Sequence, residues 1–134
     1  MSQVEITINY AVLNKSQDLV GAMENYVRVK VNNGVGGTSD FKTKIIPGKK
    51  KEPITWNESF TLPLRASPGA IIEFDVMDED MTSDDLCGTG LFKLERCGVF
   101  NNPGAQQRYN IRLIEEKKKA DTIAGELHIT TRFY

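Results

Sequence analysis

The sequence predicts an all-β protein, an eight-stranded antiparallel β-sandwich. Three observations predict it. Hydrophobicity alternates with a period of two along most of the chain. The alternating runs are short and end in turn residues, chiefly Gly, Pro and Asn. No long segment carries the 3.6-residue period of a helix. At 134 residues the length fits one domain covering residues 1–134. A chain of this size buries roughly two thirds of its unfolded surface, enough for a core without staples.

The elements follow in order. Val4, Ile6, Ile8 and Tyr10 alternate with Glu5, Thr7 and Asn9 in a first strand. Residues 11–25 read as a loop, because Gly21 and the short length disfavour a helix. Tyr26 to Val31 is a second strand, with Arg28 and Lys30 opposite Val27, Val29 and Val31. A turn from Asn32 to Gly37 leads to a third strand, Phe41 to Ile46, stopped by Pro47-Gly48. Phe60, Leu62 and Leu64 mark a fourth strand entered through Trp56, and Ser67-Pro68-Gly69 closes it. Ile72, Phe74 and Val76 form the inner face of a fifth, and Gly90 to Leu94 makes a sixth. After the turn at Asn101 to Gly104, Tyr109, Ile111 and Leu113 define a seventh. Leu127, Ile129, Thr131 and Phe133 define an eighth. In consecutive antiparallel strands the odd-numbered connections share one end. Asp18 and Glu24, Lys49 to Lys51, Asp78 to Asp85, and Lys117 to Lys119 are therefore expected at one pole.

Composition excludes several classes. Charged residues at 26% and hydrophobic ones at 40% are ordinary globular values. No apolar run is long enough for a transmembrane segment, and the first residues do not read as a secretory signal. Two cysteines, Cys87 and Cys97, are too few for a disulfide framework and read as free thiols in a reducing, cytoplasmic setting. A net charge of −1 provides no global field for nucleic acid.

That small total hides local segregation. Glu73, Asp75, Asp78, Glu79, Asp80, Asp84 and Asp85 follow one another closely, and no Lys or Arg lies between Arg65 and Lys93. Lys42, Lys44, Lys49, Lys50 and Lys51 crowd another segment. Two like charges about 4 Å apart cost about 4 kcal/mol at an effective dielectric near 20. A bound cation offsets such repulsion, and the carboxylate oxygens of Asp78 to Asp85 suit a hard one. Calcium, with roughly six to eight oxygen ligands, fits a flexible loop of carboxylates better than magnesium does. The loop lacks the Gly, terminal Glu and flanking helices of an EF-hand.

Four segments together resemble the C2 domain, a calcium- and phospholipid-binding β-sandwich module. They are Gln17 to Val29, Phe41-Lys42-Thr43-Lys44, Pro53 to Phe60 with Trp56-Asn57-Glu58-Ser59-Phe60, and Phe74 to Gly88. The resemblance covers nearly the whole chain. The strand at Gly125-Glu126-Leu127 corresponds to the permuted, type II topology, in which that strand comes last. The resemblance implies calcium as cofactor, held by Asp18, Glu24, Asp78, Asp80 and Asp85, with Asp84 as the neighbouring alternative to Asp85. Glu24 stands where the family has Asp, Asn25 where it has Pro, and the third loop is one residue short.

The implied partner is an anionic phospholipid membrane, bound reversibly and peripherally. Leu19, Val20, Met23 and Met81 lie in the acidic loops and are expected to dip into the interface. Lys49, Lys50 and Lys51 would add about 1 kcal/mol each beside an anionic leaflet. Arg28, Lys30, Lys42 and Lys44 form a second basic surface, matching a phosphoinositide patch of some family members or simply a solvated sheet face.

Other residues point to structure. Trp56 is expected to anchor the sandwich edge, Asn57 and Glu58 to shape a loop, and His128 to face away from the core. No nucleophile elbow, phosphate-binding loop or dinucleotide fingerprint occurs, so the chain does not read as an enzyme. The alternative to membrane targeting is a calcium-independent scaffold with a protein partner.

Overall fold

Alternation along the strands becomes two apolar faces packed on one another. The computed structural model describes residues 3–14, 23–32, 38–63, 70–96, 106–115 and 123–133. Among these residues there are nine strands: β1 (Gln3–Leu13), β2 (Met23–Asn32), β3 (Thr38–Lys42), β4 (Ile46–Gly48), β5 (Ile54–Pro63), β6 (Ile71–Asp78), β7 (Asp85–Lys93), β8 (Gln106–Ile114) and β9 (Ile123–Phe133). A 3-10 turn, Leu94–Arg96, follows β7. The hydrogen-bonded order is β3-β2-β6-β7-β8-β9-β1-β5, and β4 also pairs with β2. These pairings are all antiparallel. Among the described residues β7 meets β8 at one register pair, Thr89 with Ile114, and there the sheet folds into two layers. The C-terminal β9 sits between β8 and β1, the type II arrangement.

The expected third strand is longer and interrupted. β3 and β4 both run antiparallel to β2, so they are one strand broken at Thr43 to Ile45. Thr43 turns inward at the break, and its Oγ1 accepts the Val27 N–H at 2.8 Å. This is why the structure has nine strands where the sequence reading has eight. Three further strands begin earlier than expected, β2 at Met23, β5 at Ile54 and β7 at Asp85, and β1 runs on to Leu13, so the residues 11–25 read as a loop are strand at both ends. Leu64, Cys97 and the turn at residues 101–104 lie outside the described residues.

The core joins both layers. Val4, Ile6 and Ile8 of β1, Val27 and Val29 of β2, Ile72, Phe74 and Val76 of β6, and Leu127 and Ile129 of β9 are all fully buried. Each buried aliphatic or aromatic side chain contributes about 1.5–3 kcal/mol relative to exposure.

One expectation about the core fails. Tyr10 does not continue the inner row of Val4, Ile6 and Ile8. A bulge intervenes: Ile8 faces Ile129 and Tyr10 faces His128, leaving Asn9 without an opposite residue on β9. On the other side, Trp56 and Asn57 together oppose Asn9, because Ile8 faces Glu58 and Tyr10 faces Thr55. Asn57 takes φ 51°, a left-handed conformation that Asn tolerates. The extra residue moves Tyr10 to the outer face, where its ring stacks on His128 at 4.2 Å between centroids. Ala11 and Leu13 then take the inner positions. Gly125 allows β9 to approach β1 there, since a Cβ would lie 2.1 Å from the Val12 carbonyl oxygen.

Among the described residues the expected shared pole is present; Lys117 to Lys119, expected there too, lie outside the described residues. The C-terminal ends of β1, β4, β6 and β8 and the N-terminal ends of β2, β5, β7 and β9 lie together, as the registers require. Backbone bonds lace these ends: Asn14 N–H to Ala124 O (2.7 Å), Lys51 N–H to Leu13 O (2.7 Å) and Glu79 N–H to Glu24 O (2.8 Å).

Candidate functional site: the acidic pole

The acidic stretch from Glu73 to Asp85 divides between two places. On β6, residues 72, 74 and 76 face the core, so Glu73 and Asp75 face outward beside Arg28 and Lys30 of β2. Asp75 is only 3% exposed. Its Oδ2 accepts from Arg28 Nη2 at 3.2 Å, and its Oδ1 accepts from Thr89 Oγ1 at 2.7 Å. Lys30 Nζ lies 3.8 Å from Glu73 and 3.9 Å from Asp75. Burial raises the Asp75 carboxyl above its ordinary range, the Thr89 bond opposes that rise, and neighbouring Glu73 adds to it. Arg28 and Lys30, expected as lipid ligands, are thus engaged with acids of the adjoining strand.

The remaining acids sit at the pole. Asp78 ends β6, pairs with Asn25 and Asp85, and is 2% exposed. Its Oδ1 accepts the backbone N–H of Glu24 at 3.0 Å. Glu24 meets Asp78 through that amide; its own side chain is on the exposed side of β2, between buried Met23 and Asn25. Asp80 and Asp85 are exposed. Asp80 Oδ1 accepts the Met81 N–H at 2.6 Å. Asp84 accepts the Tyr26 hydroxyl on Oδ2 and the Asp80 N–H on Oδ1 at 3.3 Å. Burial, then the Asp84 carboxylate, pushes the Tyr26 phenol up to about 12. The Tyr26 hydroxyl holds the Asp84 carboxyl below its ordinary range, helped by the Asp80 amide and by the charges of Lys42 and Arg28.

Asn25 has a role that the sequence reading misses. Asn25, standing where the family has Pro, is a fully buried hub beneath the pole. Its Nδ2 donates to Met77 O at 3.0 Å and lies 3.7 Å from Cys87 Sγ. Its carbonyl accepts from Trp56 Nε1 at 3.4 Å, an indole that also donates to Lys44 O at 3.1 Å. Its Oδ1 faces Gly48, where a Cβ would lie 2.2 Å away. The signal is in the sequence: an Asn between Met23 and Val27 on a period of two lies on the inner face.

The expected membrane-facing residues separate. Met23 is corrected: it begins β2 on the inner face, is fully buried and packs in the core, so it is not an interfacial residue. Met81 is fully exposed at the tip of the 79–84 loop. Lys49, Lys50 and Lys51 are exposed on the connection from β4 to β5, at the same pole. Lys42 Nζ lies over the Tyr26 ring, 4.2 Å from its centroid. Lys44 is exposed, and its backbone N–H donates to Glu58 Oε2 at 2.8 Å. Asp18, Leu19 and Val20 lie outside the described residues.

The pole's donor set is carboxylate oxygen, the chemistry that calcium takes. Among the described residues no three His, Cys, Asp or Glu side chains form a group that could hold a metal ion. No described helix is long and apolar enough to cross a membrane.

The antiparallel all-β fold agrees with the comparisons. The C2 domain family model matches residues 2–111, and this chain belongs to the C2 domain family. It is 31% identical over 120 residues to FT-interacting protein 3 of Arabidopsis thaliana, covering 87% of this chain and 14% of that protein. It is 30% identical over 115 residues to FT-interacting protein 7 of Oryza sativa subsp. japonica, covering 84% of this chain and 13% of that one. Multiple C2 domain and transmembrane region protein 8 of Arabidopsis thaliana is 35% identical over 81 residues, 60% of this chain and 8% of its own length. The chain thus spans a small part of the length of these relatives. In structure it is similar to a C2 domain of plant Extended Synaptotagmin 1, with a TM-score of 0.76 at 21% identity over 98% of this chain and 93% of that one. It is also similar to part of human GIVD cytosolic phospholipase A2, with a TM-score of 0.73 at 22% identity over 98% of this chain and 16% of that one.

Proposed function

We propose that residues 1–134 form one C2 domain that docks reversibly on anionic phospholipid membranes when calcium rises. The observation that carries this reading is the pole itself. Asp78, Asp80 and Asp85 lie at strand ends or in the loop between them, and Lys49 to Lys51 occupy the neighbouring connection. Held by Asp18, Glu24, Asp78, Asp80 and Asp85, calcium would neutralise the acidic loops and present a positive charge to lipid phosphates. The chain's own residues do the rest. Asp78 is held by the Glu24 amide, Met81 projects from the loop tip, and the exposed lysines add attraction that salt screens. A relative named for multiple C2 domains and a transmembrane region supports a setting at a membrane. On this reading the chain is a peripheral, cytoplasmic module that targets or adapts and is not an enzyme.

A calcium-independent scaffold for a protein partner is the second reading. It is favoured by acids already satisfied inside the protein, Asp75 by Arg28 and Thr89, and Asp84 by Tyr26 and Asp80.

Cosedimentation with phosphatidylserine vesicles, in calcium and in chelator, tests the two. Pelleting that needs calcium is expected. Protein that stays in the supernatant under both conditions overturns the membrane reading. Equal pelleting in both, falling steeply with salt, replaces calcium with the lysines as the agent.

A further inference from the structure

Asp84 and Asp85 are adjacent in sequence and lead to different parts of the molecule. Asp85 begins β7 and pairs with Asp78 across the ladder. Asp84 reaches instead to β2, where Tyr26 donates its hydroxyl to Oδ2. The other oxygen, Oδ1, accepts the Asp80 N–H at 3.3 Å, and Asp80 Oδ1 accepts the Met81 N–H at 2.6 Å. Tyr26 is itself fixed: it is 3% exposed, and Lys42 Nζ covers its ring at 4.2 Å. A continuous chain of contacts therefore runs from Lys42 on β3, through Tyr26 and Asp84, to the tip of the acidic loop.

We propose that Asp84 is the anchor of the 79–84 loop and not an ion ligand, and that Tyr26 is the positioning residue that holds it. The physical case is the loop's own charge. Glu79, Asp80 and Asp84, flanked by Asp78 and Asp85, repel one another and favour an open loop. A phenol is a neutral donor that fixes one carboxylate at the base of the loop, and that carboxylate in turn fixes the Asp80 backbone. Asp84, engaged by two protein donors, is thereby set apart from Asp18, Glu24, Asp78, Asp80 and Asp85, the ligands of the calcium reading. This assignment rests on the calcium reading above; the anchor itself does not, because every contact in it joins two groups of the protein.

The test has two arms. In chelator, NMR amide exchange at Asp80 and Met81 reads the anchor alone. Tyr26→Phe keeps the ring and loses the hydroxyl; Asp84→Ala loses both acceptors; Asp84→Asn keeps one acceptor, for the phenol, and places a donor NH2 at the oxygen that accepts the Asp80 N–H. Exchange is expected to rise about tenfold in Tyr26→Phe and Asp84→Ala and no further in the double variant; in Asp84→Asn it is expected to rise at Asp80, whose N–H an amide nitrogen cannot accept. Unchanged exchange in Tyr26→Phe, with the melting temperature preserved, overturns the anchor. In the second arm, calcium titration of the same variants assigns the role. Equal weakening in Tyr26→Phe and Asp84→Ala, with Asp84→Asn weakened no more than these, supports positioning. Loss in Asp84→Asn as deep as in Asp84→Ala, with Tyr26→Phe binding as well as or better than wild type, makes Asp84 a ligand and overturns the proposal. A wild-type chain that binds no calcium overturns the calcium reading and the assignment of ligands, while the exchange arm still decides the anchor.

Discussion

On the outer face of β2 and β6, Glu73 and Asp75 meet Arg28 and Lys30. A few residues further along the same chain, Asp78, Asp80 and Asp84 meet backbone amides and a phenol. The two regions carry one acidic stretch and treat its charge differently. On the face, cations of the next strand neutralise it within the fold. At the pole, neutral donors orient the carboxylates and leave their charge. The cations offset part of the cost of burying Asp75. Orientation without neutralisation preserves an attraction for an outside cation, while repulsion persists inside the loop.

Four measurements test that contrast. The largest effect is expected at the floor of the pole. Met23→Ala removes a fully buried side chain and should cost about 2–5 kcal/mol in urea unfolding, whereas Met81→Ala should stay within about 0.5 kcal/mol of wild type. A Met23 variant as stable as Met81→Ala would remove the floor from the core.

Next is the double variant Asp78→Asn with Asp80→Asn, which preserves shape and removes two pole charges. It should weaken calcium-dependent vesicle binding about a hundredfold, or about 2.8 kcal/mol. Asp75→Asn on the face should leave that binding unchanged. Equal losses from both would erase the distinction between the regions.

Third, Asp75→Ala should destabilise by about 1–3 kcal/mol, because Arg28 and Thr89 lose a shared acceptor. The pH dependence has a defined sign. Burial raises the folded-state value of Asp75 above 3.8, so the native state binds its proton more tightly than the unfolded chain does. The stability linked to that proton is fully present below 3.8 and is lost as pH rises through the raised value. Comparing urea unfolding of wild type and Asp75→Asn across this window should show wild type losing ground with rising pH; the reverse slope would mean that Arg28 dominates over burial.

The smallest effect belongs to Lys30→Ala. Its side chain is 49% exposed and its contacts are 3.8 Å and longer, so the change should cost under about 1 kcal/mol and diminish in high salt. A larger, salt-insensitive loss would make the face a tighter network than its geometry indicates.

Where sequence and structure differ, the causes are physical. The Asn9 bulge reverses the alternation of β1, so Tyr10 leaves the inner row that Val4, Ile6 and Ile8 define. A period of two carries no information about an inserted residue, although Asn57 at φ 51° is a residue type that accepts the required conformation. Met23 reads as loop because polar and small residues surround it, yet it continues the inner row of Asn25, Val27 and Val29. Counting the alternation backwards from Val27 places both.

Local pattern was enough for the fold class, the inner rows of most strands, the family and the end of the sandwich where the acidic and basic connections meet. All of these depend on short-range periodicity or on short motifs, and each strand's alternation carries its own record of which face is buried. The division of the acids came only with the assembled sheet. Arg28 opposite Asp75, Tyr26 against Asp84, and the Glu24 amide on Asp78 join residues 47, 58 and 54 positions apart. Such pairs are set by the register of β2 against β6 and by the return of the loop onto β2, and no local pattern encodes a register between strands so distant in the chain.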